Sequence, residues 1–69
     1  MNQTEIKEMI SIYKAKELQS LTYCELKEFR KYLILDGNED LGKNIYAHME
    51  GLVREGKVTE EEMIGAAYL

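Results

Sequence analysis

Residues 52–63 have the sequence Leu52-Val53-Arg54-Glu55-Gly56-Lys57-Val58-Thr59-Glu60-Glu61-Glu62-Met63. A glycine such as Gly56, two residues after the basic Arg54, is typical of a helix end, because glycine adopts the left-handed conformation that closes a helix. Thr59 and Glu62 have capping-box spacing, in which each side chain satisfies the other residue's backbone amide. The stretch therefore predicts a helical hairpin with its turn around Gly56.

Upstream of the hairpin, an apolar stripe at helical spacing predicts a helix over residues 39–55. Asn38 and the acidic residues after it supply a start signal, since acids near a helix N-terminus are favourable. Gly51 interrupts the helix at a cost of roughly 1 kcal/mol relative to alanine. Either another helix passes close to Gly51 or the cost is simply tolerated. The members of the stripe are Leu41, Ile45, Met49, Leu52 and Val53.

Downstream of the hairpin, a short helix is predicted over residues 60–68. Two turns are too few to be stable alone. We therefore expect this helix to dock on the others through the apolar residues Met63, Ile64, Ala67 and Leu69.

Two further helices precede the long one. Thr22 and Glu25 form another capping box, and Gly37 follows Asp36 as a stop, so a helix is predicted over residues 23–36. A first helix is predicted over residues 4–19, with Asn2 or Thr4 as its cap. The apolar stripes of these helices are Ile6, Met9, Ile10 and Tyr13 in the first, and Leu26, Phe29 and Leu33 in the second.

The fold predicted from these segments is all-α. It is a compact bundle of three main helices, over about residues 4–19, 23–36 and 39–55, with a short C-terminal helix over 60–68, all in a single domain over 1–69. A chain of 69 residues buries a small core, and small domains often gain stability by self-association. A homo-oligomer is therefore one expectation.

The hairpin at residues 52–63 resembles that of the short C-terminal domain (SHOCT) family. The family pattern runs Leu, three residues, Gly, one residue, Ile or Val, Thr, one or two residues, Glu, and then a large apolar residue. Downstream, Ile64-Gly65-Ala66-Ala67 departs from the family's usual Lys-rich end with paired Leu. The resemblance implies a packing or oligomerisation module without catalytic residues.

Charge and composition narrow the function classes. The chain has 13 acidic and 9 basic residues and a net charge of −4, which on average repels nucleic acid. It shows no secretion signal and no apolar run of membrane-spanning length. The single cysteine, Cys24, is in keeping with a reducing compartment. We therefore expect a cytoplasmic protein with no membrane association and no preference for nucleic acid.

No set of residues predicts catalysis, a cofactor or a metal. Cys24 and His48 are the only thiol and imidazole, too few for a structural zinc site. Cys24 is interpreted as a packing residue and His48 as a partly buried side chain at the edge of its helix, with pH sensing as the alternative for His48. The acids around Gly37 lack the ligand pattern of a calcium loop and are interpreted as helix caps.

A protein interface is predicted from apolar and tyrosine side chains that the core stripes leave out. Tyrosine is enriched in binding surfaces because it offers rigid area with a polar tip. Replacement of Tyr32 and Ile34 with charged residues is accordingly expected to yield a monomer whose helicity is largely intact. The predicted interface consists of Ile12, Tyr23, Tyr32, Ile34, Leu35, Tyr46 and Tyr68.

The predicted function is that of a non-enzymatic protein-interaction domain, acting as an adaptor, regulator or inhibitor. Proteins of this kind are found in phages and other mobile elements. The expected partner is a foreign protein or a second copy of the chain. One alternative is a helix-turn-helix DNA-binding regulator that contacts phosphates through Lys27, Arg30 and Lys31. Another is an acidic mimic of nucleic acid that blocks a DNA-binding protein. The mimic requires that one face gathers the carboxylates Glu39, Asp40, Glu50, Glu55, Glu60, Glu61 and Glu62.

Overall fold

Four α-helices follow one another in the computed structural model, which describes residues 2–67. They are α1 (Gln3–Lys14), α2 (Tyr23–Leu35), α3 (Glu39–Arg54) and α4 (Glu60–Ala67). A single 3₁₀ turn, Leu18–Ser20, lies between α1 and α2, and no strand occurs in the described part of the chain. The all-α class and the arrangement of three main helices and a short fourth are confirmed.

The second helix, α2, is the centre of the fold, since α1, α3 and α4 all pack against it. Its residues Leu26 and Leu33 are fully buried. The predicted stripes of α1 and α2 are confirmed, whereas Val53 of the α3 stripe is exposed. The core consists of Ile6, Ile10, Tyr13, Leu21, Leu26, Phe29, Tyr32, Leu33, Ile45 and Met49.

The helix starts follow the predicted caps in three places. The Asn2 side chain accepts from the Glu5 backbone N–H at 2.9 Å, so Asn2 and not Thr4 caps α1. The capping box of Thr22 and Glu25 is complete, and the Thr22 backbone N–H lowers the pKa of the Glu25 carboxyl. At α4, only one bond of the predicted capping box is found among the described residues: Thr59 Oγ1 accepts from the Glu62 backbone N–H at 3.1 Å.

Both predicted glycine stops are confirmed. Gly37 and Gly56 have φ of 81° and 69°, in the left-handed region that favours glycine. After α2, the Asn38 N–H bonds to the Leu33 carbonyl at 2.8 Å and the Gly37 N–H to the Ile34 carbonyl at 3.0 Å. This pair of bonds is a Schellman motif. Two short turns thereby fix the directions of α3 and α4.

The prediction that Asn38 caps α3 through its side chain is wrong. Asn38 precedes α3, but its side chain makes no capping hydrogen bond. The same residue completes the Schellman motif of α2, and its backbone has φ −96° and ψ 66°. This conformation lies outside the extended region from which a capping side chain reaches the first turn.

The predicted extension of the first helix to residue 19 is also wrong, because α1 ends at Lys14. Beyond Tyr13 the next positions of the stripe are polar, so another turn would have no apolar side chain to pack on α2. Lys16 instead forms an ion pair with Glu25 at 3.6 Å. Leaving the helix also allows Leu21 to enter the core.

The short helix α4 docks through a different face from the one predicted. Ala66 is buried, whereas Met63, Ile64 and Ala67 are exposed; the predicted contact of Leu69 lies outside the described residues. A Cβ added at Gly65 would lie 3.7 Å from Cys24 Sγ. Small side chains let α4 approach α2 closely, and Ile64 then lies about 200° around the helix from Ala66.

The two glycines inside α3 have different surroundings. A Cβ added at Gly42 would lie 3.4 Å from Ile34 Cγ1, whereas one added at Gly51 would meet nothing within 4 Å. Among residues 2–67 no helix passes close to Gly51, so that explanation is wrong, and the tolerated cost is the explanation that is left. The close approach of α2 and α3 lies at Gly42.

Gly51→Ala should accordingly raise the free energy of unfolding by about 1 kcal/mol, the difference in helix propensity. Gly42→Ala is the matched control: it gains the same propensity but places its methyl group 3.4 Å from Ile34 Cγ1, at the near limit of van der Waals contact, so its stabilisation should be no greater. Urea unfolding followed by circular dichroism measures both. Equal gains would show that the α2–α3 contact at Gly42 is loose.

Among residues 2–67, no helix is long and apolar enough to cross a membrane.

Candidate interaction surface

Tyr32 lies in the core, which corrects its assignment to the interface. It is 4% exposed, and its hydroxyl donates to Glu28 Oε1 at 2.9 Å. The Tyr13 hydroxyl donates to the other oxygen, Glu28 Oε2, at 2.8 Å. A charged residue at position 32 would therefore disrupt the core, and the predicted monomer with intact helicity is not a valid test of an interface.

These hydroxyls and carboxylate form a partly buried polar cluster, which we call the Glu28 cluster (Tyr13, Glu28 and Tyr32). Burial, and then the hydrogen bond to Glu28, raises the pKa of Tyr13. The hydrogen bond to Glu28, and then burial, raises the pKa of Tyr32. The Tyr13 ring also stacks on Phe29, with centroids 5.4 Å apart. The Glu28 cluster thus fixes α1 on α2, a role that the sequence analysis missed.

A groove between α3 and α4 collects exposed apolar side chains; we call it the tyrosine groove. It has a volume of about 350 Å³ and is open to solvent. Glu50 and Arg54 place opposite charges beside its apolar surface. The apolar lining is Tyr23 from α2, Tyr46, Met49 and Val53 from α3, and Met63 from α4.

Tyr46 is the most prominent side chain of the tyrosine groove. It is 48% exposed, yet its ring is held from one side by Arg30, whose guanidinium carbon lies 4.8 Å from the ring centroid. This distance is in the range of a cation–π contact. Arg30 Nε is buried and has no hydrogen-bond partner within residues 2–67. The contact therefore orients an aromatic side chain that remains available to a partner.

A second surface, which also includes Arg30, combines apolar and basic side chains; we call it the basic groove. Ile34 and Leu35 are exposed there, in two adjoining depressions of 260 and 170 Å³ that both include Arg30 and Ile34. The polar residues that line the basic groove are Lys27, Arg30, Lys31, Glu39 and Lys43.

The three basic residues predicted to contact phosphate do line one groove, but two of them have contacts within the chain. The Lys27 ammonium donates to the backbone carbonyl of Ala66, and Arg30 lies over Tyr46. Lys31 is exposed. The exposed Ile34 and Leu35 between these cations suit an apolar side chain of a protein better than the phosphate backbone of a nucleic acid.

The structure thus divides the predicted interface among several places. Tyr23 and Tyr46 lie in the tyrosine groove, and Ile34 and Leu35 lie in the basic groove. Ile12 is exposed on α1 and lines a separate shallow depression. Tyr68 lies outside the described residues.

Sequence reasoning missed Val53 and Met63 as surface residues, since both were assigned to buried stripes. The signal for Val53 was present: Leu52 and Val53 are adjacent and thus about 100° apart on a helix, so one of them leaves the core stripe. No comparable signal exists for Met63, because its exposure depends on how α4 docks.

Cys24 and His48, which carry the chain's one thiol and one imidazole, have separate contacts. The Cys24 thiol lies 3.5 Å from the backbone carbonyl oxygen of Glu62 and donates to it. His48 lines a different groove, of 380 Å³, together with Leu21, Leu52 and other residues. Among residues 2–67, no group of three or more His, Cys, Asp or Glu side chains is placed to hold a metal ion.

The carboxylates considered for nucleic-acid mimicry border different surfaces. Glu39 lines the basic groove, Glu50 the tyrosine groove and Glu55 the groove of His48. A mimic would need them on one face, so this distribution gives it no support.

Comparisons of the chain with protein-family models, with curated proteins and with solved structures find no match. What the chain binds is therefore inferred from its own geometry.

Proposed function

We propose that this chain is a non-enzymatic protein-interaction domain, acting as an adaptor, regulator or inhibitor, and that its tyrosine groove receives an apolar helix of a protein partner. The observation that carries the proposal is the half-exposed Tyr46, oriented by Arg30 and neighboured by the exposed Val53 and Met63. Tyrosine is enriched among the residues that dominate binding energy, and methionine adapts to irregular partners.

The shape of the tyrosine groove supports a helical partner. Residues of three helices line it, namely Tyr23 of α2, Met63 of α4 and five residues of α3. An amphipathic helix laid in such a groove presents apolar side chains at spacings of three and four residues. Glu50 and Arg54 would then interact with polar residues along the edges of that helix and set its direction.

Site-specific photo-crosslinking tests the proposal. A benzophenone side chain at Val53 should yield one discrete protein adduct in an extract of the native host, whereas the same group at the exposed Lys14 should yield none. Tyr46→Ala, combined with the probe at Val53, should reduce the adduct at least about tenfold, since a tyrosine hot spot contributes about 2 kcal/mol.

Circular dichroism of each variant serves as the control for folding. Equal adducts from positions 53 and 14, or an adduct insensitive to Tyr46→Ala in folded protein, would contradict the proposed groove.

A further inference from the structure

The outer side of α4 combines an exposed apolar residue with carboxylates. Ile64 is 60% exposed, and the exposed Glu60 and Glu61 precede it by four and three residues. Residues at these spacings are neighbours on one side of a helix. We call these residues the acidic edge (Glu60, Glu61 and Ile64). Since α4 docks on α2 through Ala66, the acidic edge faces away from the body of the protein.

The basic groove has the opposite charge and the same apolar character. Ile34 and Leu35 provide apolar surface there, with Arg30, Lys31 and Lys43 beside it. Among the described residues, Glu39 is the one carboxylate that lines it. The ion pairs found within residues 2–67 join Lys16 to Glu25 and Lys57 to Glu55. The cations of the basic groove therefore have no ionic partner within the described chain.

We propose that the acidic edge of one copy of this chain docks into the basic groove of a second copy. Ile64 would cover Ile34 and Leu35, while Glu60 and Glu61 would pair with Lys31 and Lys43. The chain cannot make this contact with itself, because the packing of Ala66 and the bond from Lys27 to the Ala66 carbonyl hold α4 in place on α2.

The contact joins two different surfaces, so it is head-to-tail. Such contacts form rings when the rotation between copies closes and open chains when it does not. The proposal is independent of the tyrosine groove, since neither of its surfaces includes Tyr46 or Val53.

Two variants and their mixture test the proposal by sedimentation velocity. At about 50 mM salt, the sedimenting mass of wild type should rise above the 8.0 kDa of one copy as the protein concentration increases. Salt at about 0.5 M should return the mass to that of one copy, because it screens the charges. Lys31→Glu alters the basic groove, Ile64→Asp alters the acidic edge, and each should sediment as a single copy. Both positions are exposed, so circular dichroism should be unchanged.

Mixing these variants should restore association, but only to pairs. The intact acidic edge of Lys31→Glu fits the intact basic groove of Ile64→Asp, whereas the opposite contact would bring the two introduced carboxylates against each other. Lys7→Glu, an equal change of charge on α1, and Val53→Asp, in the tyrosine groove, should both leave assembly as in wild type.

Wild type that remains a single copy at the highest concentration that stays in solution, or association that persists in Lys31→Glu and Ile64→Asp, would overturn the proposal. The proposal would also be overturned if the chain stays a single copy and binds a short duplex DNA through Lys31, because the basic groove would then bind phosphate. If Lys31→Glu or Ile64→Asp abolishes assembly but the benzophenone group at Val53 still forms its protein adduct, the tyrosine groove binds its partner without self-association.

Discussion

Replacement of Leu33 by alanine should lower the free energy of unfolding by about 3 kcal/mol, because the lost methyl groups leave a cavity in the core. Leu33 is fully buried, whereas Leu35, two residues further along the same helix, is 55% exposed. Leu35→Ala removes the same atoms and, at protein concentrations low enough for single copies, should change stability by less than about 0.5 kcal/mol. Urea unfolding followed by circular dichroism measures both, as a shift in midpoint at constant slope.

The loss at Leu33 is large for a chain of this size, whose total stability is expected to be roughly 3–10 kcal/mol. Leu33→Ala should therefore be partly unfolded at modest urea concentrations, while Leu35→Ala stays folded. Similar losses in the two variants would mean that Leu35 is covered, for instance by a second copy, and the dependence of the loss on protein concentration would identify that case.

The features that the sequence predicted correctly are those decided within a few residues. The capping box of Thr22 and Glu25 depends on atoms one helical turn apart, and the stops at Gly37 and Gly56 depend on one backbone angle each. Apolar stripes are similarly local, since helical spacing alone puts apolar side chains on one side of a helix. These features determine the order of the helices and most of the core.

The errors arise where one helix meets another. Ala66 and Ile64 are both apolar, and only the close approach of Gly65 to Cys24 decides that the smaller residue is buried and the larger one exposed. Tyr32 was assigned to the surface because it lies off the core stripe of α2. Its burial depends on a hydrogen bond to the side chain four residues earlier and on α1 covering that side of α2.

The candidate site was predictable only in part for the same reason. Tyr23, Ile34, Leu35 and Tyr46 could be named as residues outside the core stripes, and all lie in grooves. Their division into two surfaces depends on Arg30, whose contact with Tyr46 joins α2 to α3. No spacing within one helix indicates such a contact.

Replacement of Glu28 by alanine should have the second large effect, a loss of about 2 kcal/mol in the free energy of unfolding. An unsatisfied buried group costs about 1–3 kcal/mol, and the two bonds to Glu28 are part-buried, so water replaces part of what is lost. The substitution leaves two hydroxyls, those of the buried Tyr13 and Tyr32, without their acceptor. Glu28→Gln keeps one acceptor oxygen and should lose less. Urea unfolding at neutral pH measures both variants.

A coupled set of variants separates these hydrogen bonds from packing. In the Glu28→Ala background, Tyr13→Phe and Tyr32→Phe remove the unpaired hydroxyls, so they should restore part of the lost stability. In the wild-type background the same substitutions should destabilise, which makes the effects strongly non-additive. Additive effects would show that Glu28 stabilises the fold without these two bonds.

The Glu28 cluster should also make the fold sensitive to alkali. In the unfolded chain both tyrosines ionise near pH 10, whereas the folded chain raises the pKa of each. Their contribution to stability is thus fully present below about pH 10 and is lost as pH rises further, because the unfolded state then binds fewer protons than the folded state. The free energy of unfolding should fall progressively as pH rises above about 10 in wild type, and much less in the Tyr13→Phe, Tyr32→Phe variant. An equal fall in both would assign the alkaline loss to other groups and leave the Glu28 cluster without a role in it.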